Sequence, residues 1–249
     1  MKKSKKRNPD SGTTLKSAFP SWTCENCPAH LSGIFADLTL DQMREVEKGR
    51  VLDQYKRGQI LYYEGHHPLA AYCLLAGQVK VYRALADGQH RILRLAGPGD
   101  LLGHESLLKK DAYEANAEVM KDTYVCTLPR GAVLPILEKN PGTLLRLLEK
   151  VTEDLKQLQG AGASDRGRQP VSVRMAHLLL DLNQRLGRPV HWGSSIELPL
   201  SRSEMASMLG TTTETAIRVL NRFQAQGILT LGHHTVDLKN IQALRDLVQ

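Results

Sequence analysis

The chain has 249 residues, room for one large domain or two small ones with separate cores. Its formal net charge is +7, but residues 1–10 set five basic residues against Asp10, a net +4, whereas residues 169–249 hold eight Lys+Arg against six Asp+Glu, only +2. Bulk charge is therefore no argument for a polyanionic partner. No apolar run reaches the roughly 18 residues of a membrane helix, and none follows the basic N-terminus as in a secretory signal.

These exclusions point to a cytoplasmic protein without a membrane partner. Its four cysteines are expected to be thiols or metal ligands rather than disulfides. Residues 1–22 form a basic polar tail expected to be disordered. Cys24-Glu-Asn-Cys27 follows as a C-x-x-C pair. From Gly49 to Pro129 short strand-like runs alternate with glycines: Gln59–Tyr63, Ala71–Leu75, Gln78–Tyr82, Arg91–Leu95 and Tyr124–Leu128. Gly58, Gly65, Gly77, Gly88, Gly97, Gly99 and Gly103 are expected to supply turns. Many short strands at regular spacing predict an antiparallel barrel or jelly roll within a domain over 23–140.

Pro141 opens a helical pattern over 141–159. Leu144, Leu148, Val151, Leu155 and Leu158 fall at 4, 3, 4, 3 spacing, an a/d seam for a two-helix dimer or a stripe lying on its own domain. Leu145 and Leu147 widen that surface and can face the barrel. Residues 160–169 are glycine-rich and predict a flexible linker. A further helix over 171–187 begins the last domain, 170–249.

Within that domain, Leu200–Phe223 reads as two short helices joined at a glycine. Ser201 and Glu204 have capping-box spacing. Met205, Met208 and Leu209 form an apolar stripe, and Gly210 suits a left-handed helix stop. Thr211 or Thr212 caps the next helix, which exposes Glu214 and Arg218 while Ala216, Val219, Leu220 and Phe223 anchor it. This is the layout of a helix-turn-helix, whose second helix enters the DNA major groove N-terminus first. Arg218 can donate two hydrogen bonds to guanine N7 and O6, and Glu214 can accept from cytosine N4. Equally, the two can form a weak i,i+4 ion pair on a solvated face. Ser201, Thr211, Thr212, Thr213 and Thr215 are candidate phosphate contacts. A hairpin over Gly227–Leu231 and Thr235–Leu238 supplies the wing, with His233 and His234 at its turn as further phosphate candidates or solvated turn residues.

Barrel, dimer helix and winged helix-turn-helix in this order resemble the Crp/Fnr superfamily of bacterial transcription regulators. The resemblance covers roughly residues 24–245. It is carried by Lys56–Ile60, Glu64-Gly65, Tyr72–Tyr82, Gly97–Gly103 and Leu200–Leu220. It implies an α+β fold: an antiparallel β-roll sensor domain, a dimerisation helix and a C-terminal winged helix-turn-helix. It also implies a homodimer on double-stranded DNA at an inverted repeat, in contact with RNA polymerase. The family's Glu and Arg, four apart, fall on Glu214 and Arg218. They imply a half-site with a G·C pair beside an A·T pair, as in TGTGA and TTGAT. Ile217 stands where relatives carry glycine or serine.

The family's effector pocket maps onto Gly103, His104, Glu105, Glu114 and Ala115. A Gly-Glu pair for ribose reads Gly103-His104 here, and an Arg-Ser pair for phosphate reads Glu114-Ala115. An acidic residue at the arginine position repels a cyclic phosphate, so cyclic AMP is not the expected effector. The oxygen-sensing branch instead holds a 4Fe–4S cluster on four cysteines. Cys24, Cys27 and Cys126 match three of them, and Gly33 stands where the other N-terminal cysteine belongs. His30, Asp37 or Cys73 is available as a fourth ligand, and the sequence selects none. A thiol switch of Cys24 with Cys27, and a bland role for Cys73 and Cys126 as small buried hydrophobes, remain open beside it. The chain is not expected to be an enzyme. The alternative is a small-molecule-binding or metal-dependent cupin-like barrel, but His90, His104 and Glu105 lack the clustered spacing it needs.

Overall fold

The computed structural model describes residues 22–27, 33–85, 88, 90–162, 169–197, 200–232 and 235–249. Of the tail expected over 1–22, residues 1–21 lie outside that set, as do His30, His233 and His234; Trp22 is not part of a disordered tail but packs edge-on against Tyr124 at the core. The first helix, α1 (Leu40–Gly49), starts at a capping box between Thr39 and Gln42. Six strands follow: β1 (Val51–Tyr55), β2 (Ile60–Tyr62), β3 (Ala70–Ala84), β4 (His90–Ala96), β5 (Leu101–Leu102) and β6 (Asn116–Pro129). A one-and-a-half-turn helix, α2 (His104–Lys109), lies between β5 and β6. The sheet order is β1-β6-β3-β4, with β2 added to β6 and β5 to β3, all antiparallel. This is the expected β-roll.

Both faces of the β3–β6 pair are covered, which is why Ala71–Leu75 is continuously apolar rather than alternating. Leu74, Val79, Val119 and Val125 face the inside of the roll. Cys73, Leu75, Cys126 and Leu128 face the other way, under α1, α3 (Arg130–Lys139) and the start of α4 (Pro141–Gly162). The separate runs expected at 71–75 and 78–82 are one strand. Gly77 does not turn the chain but sits in a bulge, with φ at +96°, where a Cβ would lie 2.6 Å from the Thr123 Cα. Helix α4 likewise continues to Gly162, three residues into the segment expected to be a linker. Stacking on the preceding turns carries a helix over a glycine at a cost of only about 1 kcal/mol.

The last part of the chain packs three helices on a second sheet. These are α5 (Val171–Leu186), α6 (Arg202–Leu209) and α7 (Thr213–Ala225), with a short α8 (Ile241–Asp246) beside them. The sheet order is β7 (Gly187–Val190), β8 (Gly193–Glu197), β10 (Thr235–Leu238), β9 (Leu229–Leu231). The β9–β10 hairpin is the expected wing. The β7–β8 hairpin was not expected from the sequence. The core of this unit joins Met175, Leu179, Ile196, Met205, Leu220 and Phe223, all nearly inaccessible.

This unit docks on the first sheet rather than standing apart from it. Tyr82, Ile92 and Met120 join its core. The Ser207 hydroxyl donates to the His90 carbonyl at 2.6 Å and accepts from the Ile92 N–H at 3.3 Å. Lys80 Nζ lies 2.6 Å from Glu204 and 3.2 Å from Glu118.

Candidate nucleic-acid interface and sensor site

The helix-turn-helix is built by its caps. The Ser201 hydroxyl accepts from the Glu204 N–H while Glu204 accepts from the Ser201 N–H, closing the predicted box at the start of α6. Gly210 ends α6 at φ +59°, ψ +47°. The Thr212 hydroxyl then accepts from the Thr215 N–H and starts α7. Ala216, Val219, Leu220 and Phe223 are buried, which fixes the rotation of α7 and turns Glu214, Ile217 and Arg218 outward.

The two polar residues on that face do not spend themselves on each other. Among the described residues Glu214 and Arg218 form no ion pair. The Glu214 carboxylate turns back onto the helix start. Its own backbone N–H and the Thr212 hydroxyl hold its pKa below the ordinary carboxylate value, with a smaller effect from the charge on Arg218. The guanidinium of Arg218 makes no hydrogen bond to any described residue and points to solvent. The i,i+4 ion pair weighed from the sequence is therefore absent, and the polar groups of this face are available to a groove.

The phosphate candidates divide. The Ser201 and Thr212 hydroxyls are engaged in capping, and the Thr212 hydroxyl also donates to that of Thr215 at 3.1 Å. Thr211 and Thr213 are half-buried beside the N-terminus of α7.

The seam expected on α4 is partly open. Leu144, Leu148 and Leu155 are 51%, 60% and 52% exposed, an apolar line that stays open among the described residues. Val151 instead leans onto the core beneath α1, and Leu147 is buried there. Leu145, which could have faced the barrel, is 61% exposed and widens the open face. Leu158 lies on the same helix, its side chain outside the described set.

The effector-pocket residues come together around α2 and the segment before β6. Gly103 precedes α2 with φ +72°, and a Cβ there would lie 2.8 Å from the Tyr113 ring. That ring stacks on Tyr62 at 4.2 Å, and Tyr62 stacks on Tyr72 at 5.7 Å. The Tyr113 hydroxyl donates to the Ala70 carbonyl. Ala115 and His104 are buried, with the Glu105 carboxylate 3.5 Å from His104 Nδ1. Glu114 is exposed and paired with Arg83 at 3.3 Å and Lys109 at 3.9 Å, so its repulsion of a phosphate is weaker than the sequence suggested. No sequence pattern marked the three stacked tyrosines, because they come from β2, β3 and the segment before β6. A cleft of about 680 Å³ lies elsewhere, between β4, α4 and α5, and none of the five expected pocket residues lines it.

The four cysteines meet. Cys73 on β3 and Cys126 on β6 are direct cross-strand partners. With Cys24, Cys27 and Arg50 they line one small cavity of about 40 Å³ under α1. Burial pushes the Cys24 thiol up to about 11 and Cys126 up to about 12, against a smaller lowering by the Arg50 charge. Cys73 is also raised, first by burial and then by its neighbouring thiols. Protonated, buried thiols are slow nucleophiles, which weakens the simple thiol-switch reading. Among the described residues the thiols are not gathered closely enough to hold a metal ion, so the iron–sulfur set implied by the resemblance is not assembled here. Gly33 is buried nearby, whereas Asp37 is exposed and paired with Arg146. Of the fourth-ligand candidates within the described residues, only Cys73 shares the cavity.

A jelly-roll sensor unit joined through a long helix to a winged helix-turn-helix with a free reading face defines a DNA-binding transcription regulator. The cyclic nucleotide-binding domain model matches residues 52–140 and the Crp-like helix-turn-helix domain model residues 173–247. The chain is 30% identical over 201 residues to the cyclic AMP receptor protein of Thermus thermophilus, covering 78% of this chain and 86% of that one. It is 28% identical over 236 residues to the transcriptional activatory protein AadR of Rhodopseudomonas palustris, covering 91% and 97%. The structure of FixK2 from Bradyrhizobium japonicum superposes with a TM-score of 0.71 at 27% identity, over 80% of this chain and 98% of that one. The chain belongs to the Crp/Fnr family of transcription regulators.

Proposed function

We propose that this regulator binds double-stranded DNA as a homodimer at an inverted repeat, reading each half-site through Glu214 and Arg218. The observation that carries this reading is the state of the α7 face: Arg218 is exposed with no described partner, and Glu214 is turned onto the helix start. A guanidinium left free at that position can fork onto guanine N7 and O6, with Glu214 beside it for a cytosine amino group. Ile217 adds an apolar contact. The open leucine line on α4 supports pairing of two copies, which sets the two α7 helices about 34 Å apart. The chain acts by binding, in the cytoplasm, with RNA polymerase as the protein partner of the DNA-bound dimer. Selection from random duplexes tests this. An enriched inverted repeat with one invariant G·C pair per half-site is the expected result, and a pool without symmetry refutes it.

The signal is not cyclic AMP. The stacked Tyr62, Tyr72 and Tyr113 support this, and calorimetry should give no micromolar heat with that nucleotide. The thiol cavity supports a redox-responsive input instead. Repeating the DNA selection with and without air tests that input separately from the half-site.

A further inference from the structure

We propose that the cleft of about 680 Å³ between β4, α4 and α5 binds an amphipathic carboxylate, an organic acid with an apolar body, and that the bound acid bridges the sensor sheet to the DNA-binding unit. Binding is measured without DNA, so the site is tested apart from the half-site and redox readings above.

The walls of the cleft come from three parts of the chain. Strand β4 and the Gly97–Asp100 turn form one side, Lys150 and Glu153 of α4 close one end, and α5 with the end of α6 forms the other side. Leu93, Leu95, Met120, Leu178 and Met208 give it apolar surface, interrupted by a few charged groups. Size, mixed lining and a place at the junction of two units are the usual marks of a small-molecule site. The junction itself is tight beside the cleft, where the Ser207 hydroxyl accepts from the Ile92 N–H at 3.3 Å and donates to the His90 carbonyl. Met208 and Leu93, the next residues on each side, open into the cleft.

The distribution of charge selects the ligand. Lys150 is answered twice, by Asp100 at 2.5 Å and by Glu153 at 3.9 Å. Arg94 donates to the Leu101 carbonyl at 3.1 Å, and His177 and Asp181 are also engaged. Arg174 differs from all of these. Its guanidinium makes no hydrogen bond or ion pair with any described residue, although its Nε is inaccessible to water. A dry, unpaired N–H on a cation is costly. Arg174 also lies in the first turn of α5, where the helix dipole disfavours positive charge and no acidic residue offsets it. A carboxylate in the cleft answers both costs. It accepts from the fork of Nε and one Nη, a geometry that guanidinium and carboxylate share. Its apolar body then covers the leucine and methionine wall, which a free phosphate would leave bare. The far end of the fork reaches the turn between α6 and α7, since a Cβ on Gly210 would lie 3.7 Å from Arg174 Nη1. An occupied cleft is thereby coupled to the seat of the recognition helix.

The test is calorimetric titration of the full-length protein with octanoate, with octanol, octylamine and inorganic phosphate as comparisons. The expected result is one saturable octanoate site, with octanol roughly tenfold weaker and phosphate unable to compete. Arg174→Gln should weaken octanoate by about tenfold or more. Should that variant melt early, Met208→Gln keeps the guanidinium, makes the wall polar and should weaken octanoate as well. Saturating octanoate should slow hydrogen exchange of the Ile92 N–H severalfold, because the ligand extends the junction that this N–H crosses. Absence of saturable uptake would overturn the proposal. So would octanol or octylamine binding as tightly as octanoate, phosphate displacing it at similar concentration, or unchanged affinity in a folded Arg174→Gln protein. Octanoate that binds without slowing the Ile92 exchange would overturn the bridging role.

Discussion

The recognition helix and the thiol cavity are opposite kinds of site. The α7 face is assembled by residues within one turn of each other, is open to water, and keeps its polar groups free. The cavity is assembled from a turn, two strands and the end of a helix, and is largely closed to water. A reading surface must find its partner in solution, so it needs exposure and local precision. A buried cavity is set by long-range packing, so it sits where four elements meet. The two belong to different cores, α7 to the one around Phe223 and the cavity to the one around Cys73 and Leu75.

The largest effect should come from testing that separation. Phe223→Ala removes a side chain that is 1% exposed from the centre of the DNA-binding core and should cost about 3–5 kcal/mol there. DNA binding should be lost while the sensor sheet stays folded. Calorimetric unfolding should show the later part of the chain melting alone. If both regions melt together, they are one cooperative unit and the comparison breaks. Next in size is Arg218→Ala, expected to cost about 1–3 kcal/mol of DNA affinity and to relax the selected base at the guanine. A competition assay against single-base variants of the half-site checks it. Ser201→Ala removes the cap of α6, at about 1 kcal/mol of stability, and leaves the order of base preferences unchanged. Thermal melting with and without the selected site reads both consequences.

How much of this was legible follows the same division. Ser201, Glu204, Gly210 and Thr212 signal their roles by spacing along the chain, and each does what its spacing implied. The wing strands were equally plain. Gly77 differs from its expected turn because glycine at positive φ serves a bulge as well as a turn, and only the approach of Thr123 distinguishes them. The β7–β8 hairpin is hidden in the sequence because Gly187-Arg-Pro-Val190 carries a proline and no apolar alternation. Its position at the sheet edge is what tolerates that proline. The fourth cysteine could not be selected from sequence, since its place beside Cys126 depends on the β3–β6 register. Nor could Arg50 be linked to the thiols, as nothing in its neighbourhood names a partner as distant along the chain as Cys126.

The smallest expected effect concerns the contact that joins the two regions. Lys80, on the sensor sheet, reaches Glu204, the residue that closes the cap of α6. Burial alone would raise the pKa of Glu204, but Lys80 and the Ser201 N–H and hydroxyl bring it below the ordinary carboxylate value. A carboxylate whose folded pKa is depressed contributes stability that is present above its unfolded pKa and lost as pH falls through the folded one. Docking of the DNA-binding unit should therefore weaken on acidification below the usual carboxylate range. Glu204→Gln separates the ion pair from the cap, because glutamine still accepts from the Ser201 N–H. In that variant the acid-dependent part should disappear, at a cost near neutral pH of about 1 kcal/mol or less. The readout is hydrogen exchange of the Ile92 N–H, which donates to Ser207 across the same junction. If its protection in wild type and Glu204→Gln falls in parallel as pH is lowered, the ion pair does not hold the junction. The reading head would then be docked by the Ile92, Met120 and Tyr82 side chains, the Ser207 hydrogen bonds and the Lys121–Glu197 pair.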